Sequence, residues 1–137
     1  MRLQLALNVP DIDAAVNHYS KLFGVEAHKR RAGYANFAID EPPLKLVLFE
    51  SPHAKAHLHH IGVEVVGAGE VEAAQKRLDG AGILDVVQRE TKCCHASQEK
   101  IWSKAHNGLR WEWYRIIDDA IPVEQDALGK TCCTEGK

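Results

Sequence analysis

The sequence contains one short pattern twice, and this repeat restricts the folds that the chain can adopt. Two strand-like runs, beginning at Gln4 and at His60, place aliphatic side chains at every second position, as a half-buried β-strand requires. Gly80 follows Gly24 by the same 56 residues that separate His60 from Gln4. Each glycine lies where a helical pattern ends. The two halves of the chain are therefore predicted to contain the same elements in the same order.

The pattern that follows each strand-like run predicts a helix. In the first half, Asp11 is a suitable N-cap and Gly24 is a suitable C-terminal stop. In the second half, apolar residues recur at helical spacing from Val71 to Ala81. Three further strand-like stretches follow each helix. They are predicted at residues 25–30, 34–39 and 44–50 in the first half, and at residues 83–89, 99–104 and 109–116 in the second.

Each half thus has the order β-α-β-β-β, which leaves one face of its sheet uncovered when the half is alone. Two such halves can bury these faces by packing together. The predicted fold class is α+β, with two βαβββ repeats (about 1–51 and 57–118) that form a cleft between curved mixed sheets. Residues 1–118 are expected to form one domain, and the polar residues 119–137 are expected to form a flexible tail.

Charge and hydropathy exclude several classes of partner. The formal net charge of the 137 residues is −2 and no long run of Lys or Arg is present, which argues against nucleic acid. The longest apolar runs, such as residues 46–49, are too short to span a bilayer. No apolar region of a signal peptide develops before Pro10 and Asp11. We therefore expect a cytoplasmic protein without a membrane partner, either a monomer or a homodimer.

Aligning the two halves gives each strand position of one half a counterpart in the other. In this alignment Val47 corresponds to Glu112. Strand alternation places Trp111 and Trp113 on one face of their strand and Glu112 on the other. We expect the two tryptophans in the core and Glu112 facing the cleft, where a carboxylate must be paired or bound to a metal ion.

Gln4, His60 and Glu112 lie at repeat-related strand positions and are predicted to bind one divalent metal ion together. Their oxygen and nitrogen donors suit a borderline or hard cation. Val47, at the fourth position, cannot bind a metal ion, so several coordination positions stay open for water, oxygen or substrate. His59 is expected to point away from His60 on the same strand. The alternative is a buried polar cluster that holds no metal ion.

The four cysteines form two adjacent pairs, Cys93-Cys94 and Cys132-Cys133. Neighbouring cysteines cannot bridge each other without strain, so in a reducing compartment such a pair suits the binding of a soft metal or metalloid. The alternative is that the thiols are incidental. For Cys132-Cys133, both alternatives stay open.

The second half also contains an insertion. Val47 follows Gly24 by 23 residues whereas Glu112 follows Gly80 by 32, so this stretch is 9 residues longer in the second half. Cys93-Cys94 lies inside the longer stretch. We predict a loop between two strands that closes over the cleft and brings the thiols to the metal ion.

From residue 1 to about residue 117, the chain resembles the vicinal-oxygen-chelate superfamily, which includes glyoxalase I and the extradiol dioxygenases. More narrowly, it resembles the organoarsenical C–As lyases, which are often classed together with cadmium-induced proteins. The segments that carry this resemblance are 33–39 (GYANFAI), 41–48 (EPPLKLVL) and 91–94 (TKCC). His95 departs from the aromatic residue, such as Tyr, that the resemblance leads us to expect.

The resemblance implies a non-haem Fe(II) enzyme that uses O2 to demethylate trivalent organoarsenicals such as methylarsenite. It implies that Gln4, His60 and Glu112 bind the iron. It further implies that Cys93 and Cys94 bind the substrate and take part in catalysis. In the reaction that we expect, the thiols capture the arsenical, the methyl carbon is oxidised, and arsenite and a one-carbon aldehyde leave.

Two other functions stay open. One is a glyoxalase-like isomerase on the same scaffold, which Val47 argues against, because such isomerases fill that corner of the site with a ligand. The other is a non-enzymatic protein that binds cadmium or arsenic through its thiols, which gives no role to Gln4, His60 and Glu112.

Overall fold

The computed structural model describes residues 1–93 and 96–119, which form two helices and eight strands in two compact units. The first unit ends at Gly62 and the second begins at Val63. The first unit contains β1 (Arg2–Val9), α1 (Ile12–Phe23), β2 (Lys29–Arg31), β3 (Tyr34–Ile39), β4 (Leu44–Glu50) and most of β5 (Leu58–Glu64). The second unit contains α2 (Ala68–Gly80), β6 (Leu84–Cys93), β7 (Ala96–Ser103) and β8 (Trp111–Asp118).

The first unit is a sheet with α1 packed on one face. Its strands lie in the order β2-β3-β4-β1-β5, and β1 runs parallel to β4. As predicted, the Asp11 side chain accepts a hydrogen bond of 3.1 Å from the backbone N–H of Ala14, and Gly24 ends the helix with a φ of 68°. The buried side chains between helix and sheet are Val9, Ile12, Ala35, Phe37, Ile39, Leu46 and Leu48. We call them the first core cluster.

The second unit has α2 packed on the antiparallel strands β8-β7-β6. The backbone N–H of Val65 donates a hydrogen bond of 2.8 Å to the carbonyl oxygen of Tyr114 at β8. The second core cluster comprises Val63, Val65, Val71, Ala74, Leu78 and Ile101. Of the apolar residues predicted at helical spacing, Val71, Ala74 and Leu78 belong to this cluster, whereas Ala81 is the exposed C-cap residue.

The order β-α-β-β-β occurs twice, from β1 to β4 and again from β5 to β8, which confirms the predicted α+β fold class. β3 and β4 have the limits that strand alternation predicts. β2 is shorter than predicted and begins at Lys29, because only its last residues pair with β3. The repeat therefore sets the order of elements along the chain.

The insertion in the second half lengthens a hairpin, contrary to the prediction of an open loop. β6 continues to Cys93, which pairs with Ala96 at the start of β7. The pairing register shifts between Gln88 and Thr91, where Glu90 has a φ of 50°. Added residues form strand here because each cross-strand pair satisfies backbone donors and acceptors that a loop leaves to solvent.

The two tryptophans of β8 differ in burial. Trp113 packs against the second core cluster, as predicted, and the guanidinium carbon of Arg77 lies 5.0 Å from the centroid of its ring. Trp111 is 37% exposed, so the prediction that it lies in the core is wrong. It is the first residue of β8 and does not belong to the set of side chains packed against that cluster.

Several predictions concern residues outside the described part of the chain. These residues are Cys94, His95, Cys132 and Cys133, together with residues 120–137 of the predicted tail. Neither helix in the described ranges has the length or the apolar composition needed to cross a membrane.

Candidate functional site

Gln4 of β1 and His60 of β5 meet in the first unit, on the face of the sheet opposite α1. Gln4 is 5% exposed and His60 is 2% exposed. The Nε2 atoms of the two side chains lie 3.1 Å apart. Rotating the amide of Gln4 by half a turn exchanges its nitrogen and oxygen, which places Oε1 beside the imidazole nitrogen. The repeat thus brings together two of the three predicted metal ligands.

His59 contacts His60, so the prediction that it points away is wrong. The Nδ1 atoms of the two rings lie 2.7 Å apart, and the ring of His59 lies 4.9 Å from that of Phe49. A hydrogen bond between these nitrogens requires that Nδ1 of one ring carries a hydrogen atom and donates the bond, and that Nδ1 of the other ring accepts it. When His60 is the donor, its Nε2 carries the lone pair that a metal ion needs.

Glu112 lies in the second unit, on the face of β8 opposite the second core cluster. It is 1% exposed, and both of its neighbours along β8, Trp111 and Trp113, are less buried. The Nζ atom of Lys100, a residue that is 0% exposed, lies 3.7 Å from Oε2 of Glu112. This distance is longer than a hydrogen bond and corresponds to an ion pair.

No motif or spacing in the sequence marks Lys100 as a residue of the site. Gln98, Lys100 and Trp102 alternate along β7 with residues of the opposite face, and Trp102 pairs with Glu112. This alternation is visible in the sequence, but a lysine in a strand is usually exposed. Only the register of β7 against β8 shows that this lysine is next to the carboxylate.

A second cation lies beside Trp102. The guanidinium carbon of Arg110 is 4.5 Å from the centroid of the Trp102 ring, and its NH2 atom lies 3.2 Å from Oδ2 of Asp85. Burial lowers the pKa of Arg110, and the carboxylates of Asp85 and Glu112 oppose this shift. The face of the second unit that carries Glu112 therefore also holds two cations and an aromatic ring.

The position equivalent to Glu112 in the first unit is apolar and buried. Val47 is 3% exposed and pairs with Ala6 on one side and with Asn36 on the other. The side-chain amide of Asn36 donates a hydrogen bond of 2.9 Å to the hydroxyl of Tyr34. The Oδ1 atom of Asn36 has no hydrogen-bond partner within residues 1–93 and 96–119. Asn36, like Lys100, is not among the residues that motifs or spacing in the sequence mark as candidates for the site.

Cys93 is the last residue of β6, and its backbone pairs with that of Ala96. The first of the two residues predicted to bind substrate therefore lies at the end of the paired part of the β6–β7 hairpin. Since Cys94 lies outside the described residues, the joint role of the two thiols stays a prediction.

The three predicted metal ligands share deep burial. Gln4, His60 and Glu112 are each at most 5% exposed. Among the residues that the structure describes, no group of three or more His, Cys, Asp or Glu side chains is placed to hold a metal ion. The metal hypothesis therefore depends on the amide oxygen of Gln4, a weaker ligand than a carboxylate but one that hard cations accept.

Comparison with known proteins adds a family. The sequence model of the glyoxalase/bleomycin resistance protein/dioxygenase superfamily matches residues 3–112. A solved structure of a member of this superfamily from Vibrio splendidus 12B01 covers 85% of this chain and 98% of its own, with a TM-score of 0.57 and 15% sequence identity. At this identity the likeness concerns the fold.

Two sequence relatives are much closer. The trivalent organoarsenical cleaving enzyme of Thermomonospora curvata is 47% identical over 134 residues, which is 97% of this chain and 88% of that protein. The cadmium-induced protein CadI of Mycobacterium tuberculosis (strain H37Rv) is 49% identical over 119 residues, which is 87% of this chain and 78% of that protein.

Proposed function

Since the chain belongs to the glyoxalase/bleomycin resistance protein/dioxygenase superfamily, we propose that it is an enzyme that cleaves the carbon–arsenic bond of trivalent organoarsenicals. Its substrate class is methylarsenite and related compounds, and its co-substrate is O2. The observation that carries the proposal is the relative named a trivalent organoarsenical cleaving enzyme, with 47% identity over 97% of this chain. Identity of this extent along nearly the whole chain supports a shared reaction as well as a shared fold.

The proposed cofactor is one Fe(II) ion held by Gln4, His60 and Glu112. The donors of these residues are one amide oxygen, one imidazole nitrogen and one carboxylate, a set that suits a borderline divalent cation. Each side chain is buried, and a buried carboxylate calls for a cation or another charged partner. When bound, Fe(II) supplies the one-electron chemistry that reaction with O2 requires.

Cys93 and Cys94 are proposed to hold the arsenic atom. Methylarsenite has two hydroxyl groups on arsenic, and two thiols replace both of them with release of two water molecules. This exchange leaves the methyl group as the remaining substituent, and it fixes the C–As bond in one orientation. Two water molecules then release arsenite from the thiols, so that overall one methylarsenite and one O2 give one arsenite and one formaldehyde.

A single-turnover experiment tests the proposal. Protein prepared without oxygen is loaded with Fe(II) and methylarsenite, and air is then admitted. We expect arsenite and formaldehyde in equal amounts. The Glu112→Ala variant, which removes the proposed metal carboxylate, serves as the control and is expected to release neither product. Binding of one arsenical per chain without products after exposure to air would contradict the proposal.

A thiol-based binding protein is the second candidate, and the relative named cadmium-induced protein CadI favours it. In that case, Cys93→Ser and Cys94→Ser would each abolish the binding of Cd(II) or arsenite, and Glu112→Ala would leave this binding unchanged. The glyoxalase-like isomerase is disfavoured because Val47 offers no fourth ligand. We further propose that the protein acts in the cytoplasm, where adjacent thiols stay reduced, as a monomer or a homodimer.

A further inference from the structure

Lys100 is a buried cation to which the proposed reaction assigns no task. It is 0% exposed, and its Nζ atom lies 3.7 Å from Oε2 of Glu112. Nζ also lies 5.7 Å from the centroid of the Trp102 ring and 5.8 Å from that of the Tyr114 ring. A lysine is almost never fully buried unless it is paired, because removing an ammonium from water is costly. The short distance to Glu112 indicates that the carboxylate offsets part of this cost.

The two repeats differ at the position of Lys100. Lys100 pairs with the residue two positions after Glu112, and Tyr34 pairs with the residue two positions after Val47. Tyr34 is therefore the counterpart of Lys100 in the first repeat. The repeat with a buried carboxylate has an ammonium at this position, and the repeat with a buried valine has a neutral phenol.

We propose that Lys100 is the counter-ion of Glu112 in the metal-free protein and opposes the binding of the divalent cation. This inference rests on the proposed metal site. Without metal, the ammonium stabilises the buried carboxylate. When a divalent cation binds Glu112, it takes over that role and lies close to a second positive charge. The repulsion weakens metal binding, so Lys100 keeps the site both folded when empty and open to exchange of its metal.

The affinity for Co(II) in the Lys100→Met variant tests the proposal. Methionine keeps most of the length and volume of the side chain and removes its charge. Co(II) binding is followed by its visible absorption, in oxygen-free buffer. We expect the variant to bind Co(II) about tenfold more tightly, or more, which corresponds to about 1.4 kcal/mol of binding free energy. Unchanged or weaker binding would show that Lys100 only fills space or orients the carboxylate, and would overturn the proposal.

Lys76→Met is the matched control. Lys76 lies on α2 with 77% of its side chain exposed, and its Nζ atom is 3.4 Å from Oε1 of Glu72. The Lys76→Met variant loses the same charge and the same kind of ion pair as Lys100→Met, but at the protein surface. We expect no change in Co(II) affinity from this substitution.

A double-mutant cycle on the metal-free protein tests the ion pair separately. Lys100→Met and Glu112→Gln should each lower the thermal midpoint, because each removes one member of the buried ion pair. The double variant should have a higher midpoint than the sum of the two effects predicts, and it should fold even when Lys100→Met alone does not. Additive effects, or a double variant that fails to fold, would overturn the proposal. Absence of Co(II) binding by the wild-type protein, with a coupled cycle, would instead contradict only the proposed metal site.

Discussion

At the scale of single residues, the polar side chains of the proposed site stand out by their deep burial more than by their chemical type. Gln4, His60, Glu112 and Lys100 are each at most 5% exposed. Burial of groups that prefer water requires partners, and the described contacts supply some of them. The Gln4–His60 contact of 3.1 Å and the Lys100–Glu112 contact of 3.7 Å each involve a proposed metal ligand.

Val47 is the residue whose replacement tests the open coordination position. In the Val47→Glu variant, both repeats carry a carboxylate at the equivalent position. We expect tighter Fe(II) binding, because a fourth ligand is added, and O2-dependent turnover lowered by about tenfold or more, because a position that the reaction uses is filled. Metal affinity and formaldehyde release are the measurements.

The control for this variant is Val47→Ala, since Val47 is 3% exposed and any substitution disturbs packing. We expect the alanine variant to lose about 2 kcal/mol of stability and to keep its metal affinity. Equal losses of turnover in both variants would mean that packing, and not ligation, explains the result.

At the scale of elements, the ends of the helices depend on a few local contacts. α1 has a side-chain N-cap, Asp11, whereas α2 begins after Gly67, which has no side chain to cap it. The carboxylate of Glu70, in the first turn, instead accepts hydrogen bonds from the backbone N–H groups just before the helix, those of Gly67 (3.0 Å) and Val66 (3.1 Å). The start of α2 therefore depends on one carboxylate.

Glu70→Gln is expected to make stability less dependent on pH. The hydrogen bonds from Gly67 and Val66 hold the pKa of Glu70 below its ordinary value of 4.5. A carboxyl group with a lowered pKa in the folded state stabilises that state fully above its unfolded pKa, and this contribution is lost as the pH falls through its folded pKa. The free energy of unfolding, measured by chemical denaturation, should thus differ less between variant and wild type below about pH 4 than at pH 7. Glu72→Gln is the control on the same helix, and a constant difference at all pH values would contradict the assignment.

Two glycines provide a matched test of backbone conformation. Gly24 has a φ of 68° and Gly69 lies in the first turn of α2, and an added Cβ would meet no heavy atom within 4 Å at either position. Gly24→Ala should destabilise the protein by about 1–2 kcal/mol, because L-residues disfavour the left-handed region. Gly69→Ala should stabilise it by up to about 1 kcal/mol, because alanine favours helix. The measurement is the midpoint of chemical denaturation of each variant. Equal effects at both positions would show that alanine is not strained in the backbone conformation of Gly24.

At the scale of the whole molecule, the proposed reaction divides its tasks between two sets of residues. Metal binding is assigned to the strands that carry Gln4, His60 and Glu112, and arsenic binding is assigned to the hairpin tip that carries Cys93. The insertion of 9 residues lengthens the β6–β7 hairpin and leaves the order of elements in the repeat unchanged. A new function can be added in this way without altering the fold.

Cys93→Ser separates these tasks. We expect turnover to fall below about 1% of the wild-type rate, because serine does not bind trivalent arsenic, while Fe(II) affinity changes by less than about twofold. Arsenite release and metal titration are measured on the same preparation. Cys132→Ser is the control and should retain turnover. Loss of iron from the Cys93→Ser variant would mean that the thiols are metal ligands and that the two tasks are not separate.

Much of the fold can be predicted from the sequence, because its signals are local. The strand alternation at 34–39 and 44–50, the N-cap at Asp11 and the stop at Gly24 each depend on residues close together in the chain. The repeat then adds the order of elements and the equivalence of Val47 and Glu112. Strand alternation places Glu112 on the face of β8 opposite Trp113, and the structure shows that Glu112 is buried there.

The tertiary structure decided which residues are neighbours across strands. The pairing of β7 with β8 places Lys100 beside Glu112, and neither the spacing nor the composition of these strands specifies that register. The same holds for the contact of His59 with His60, which depends on side-chain conformation, and for the insertion, which forms strand only because β6 and β7 pair. The sequence alone therefore determined the repeat and its candidate ligands. The charged partner of Glu112 is set by the pairing of β7 with β8, and only the folded chain shows this pairing.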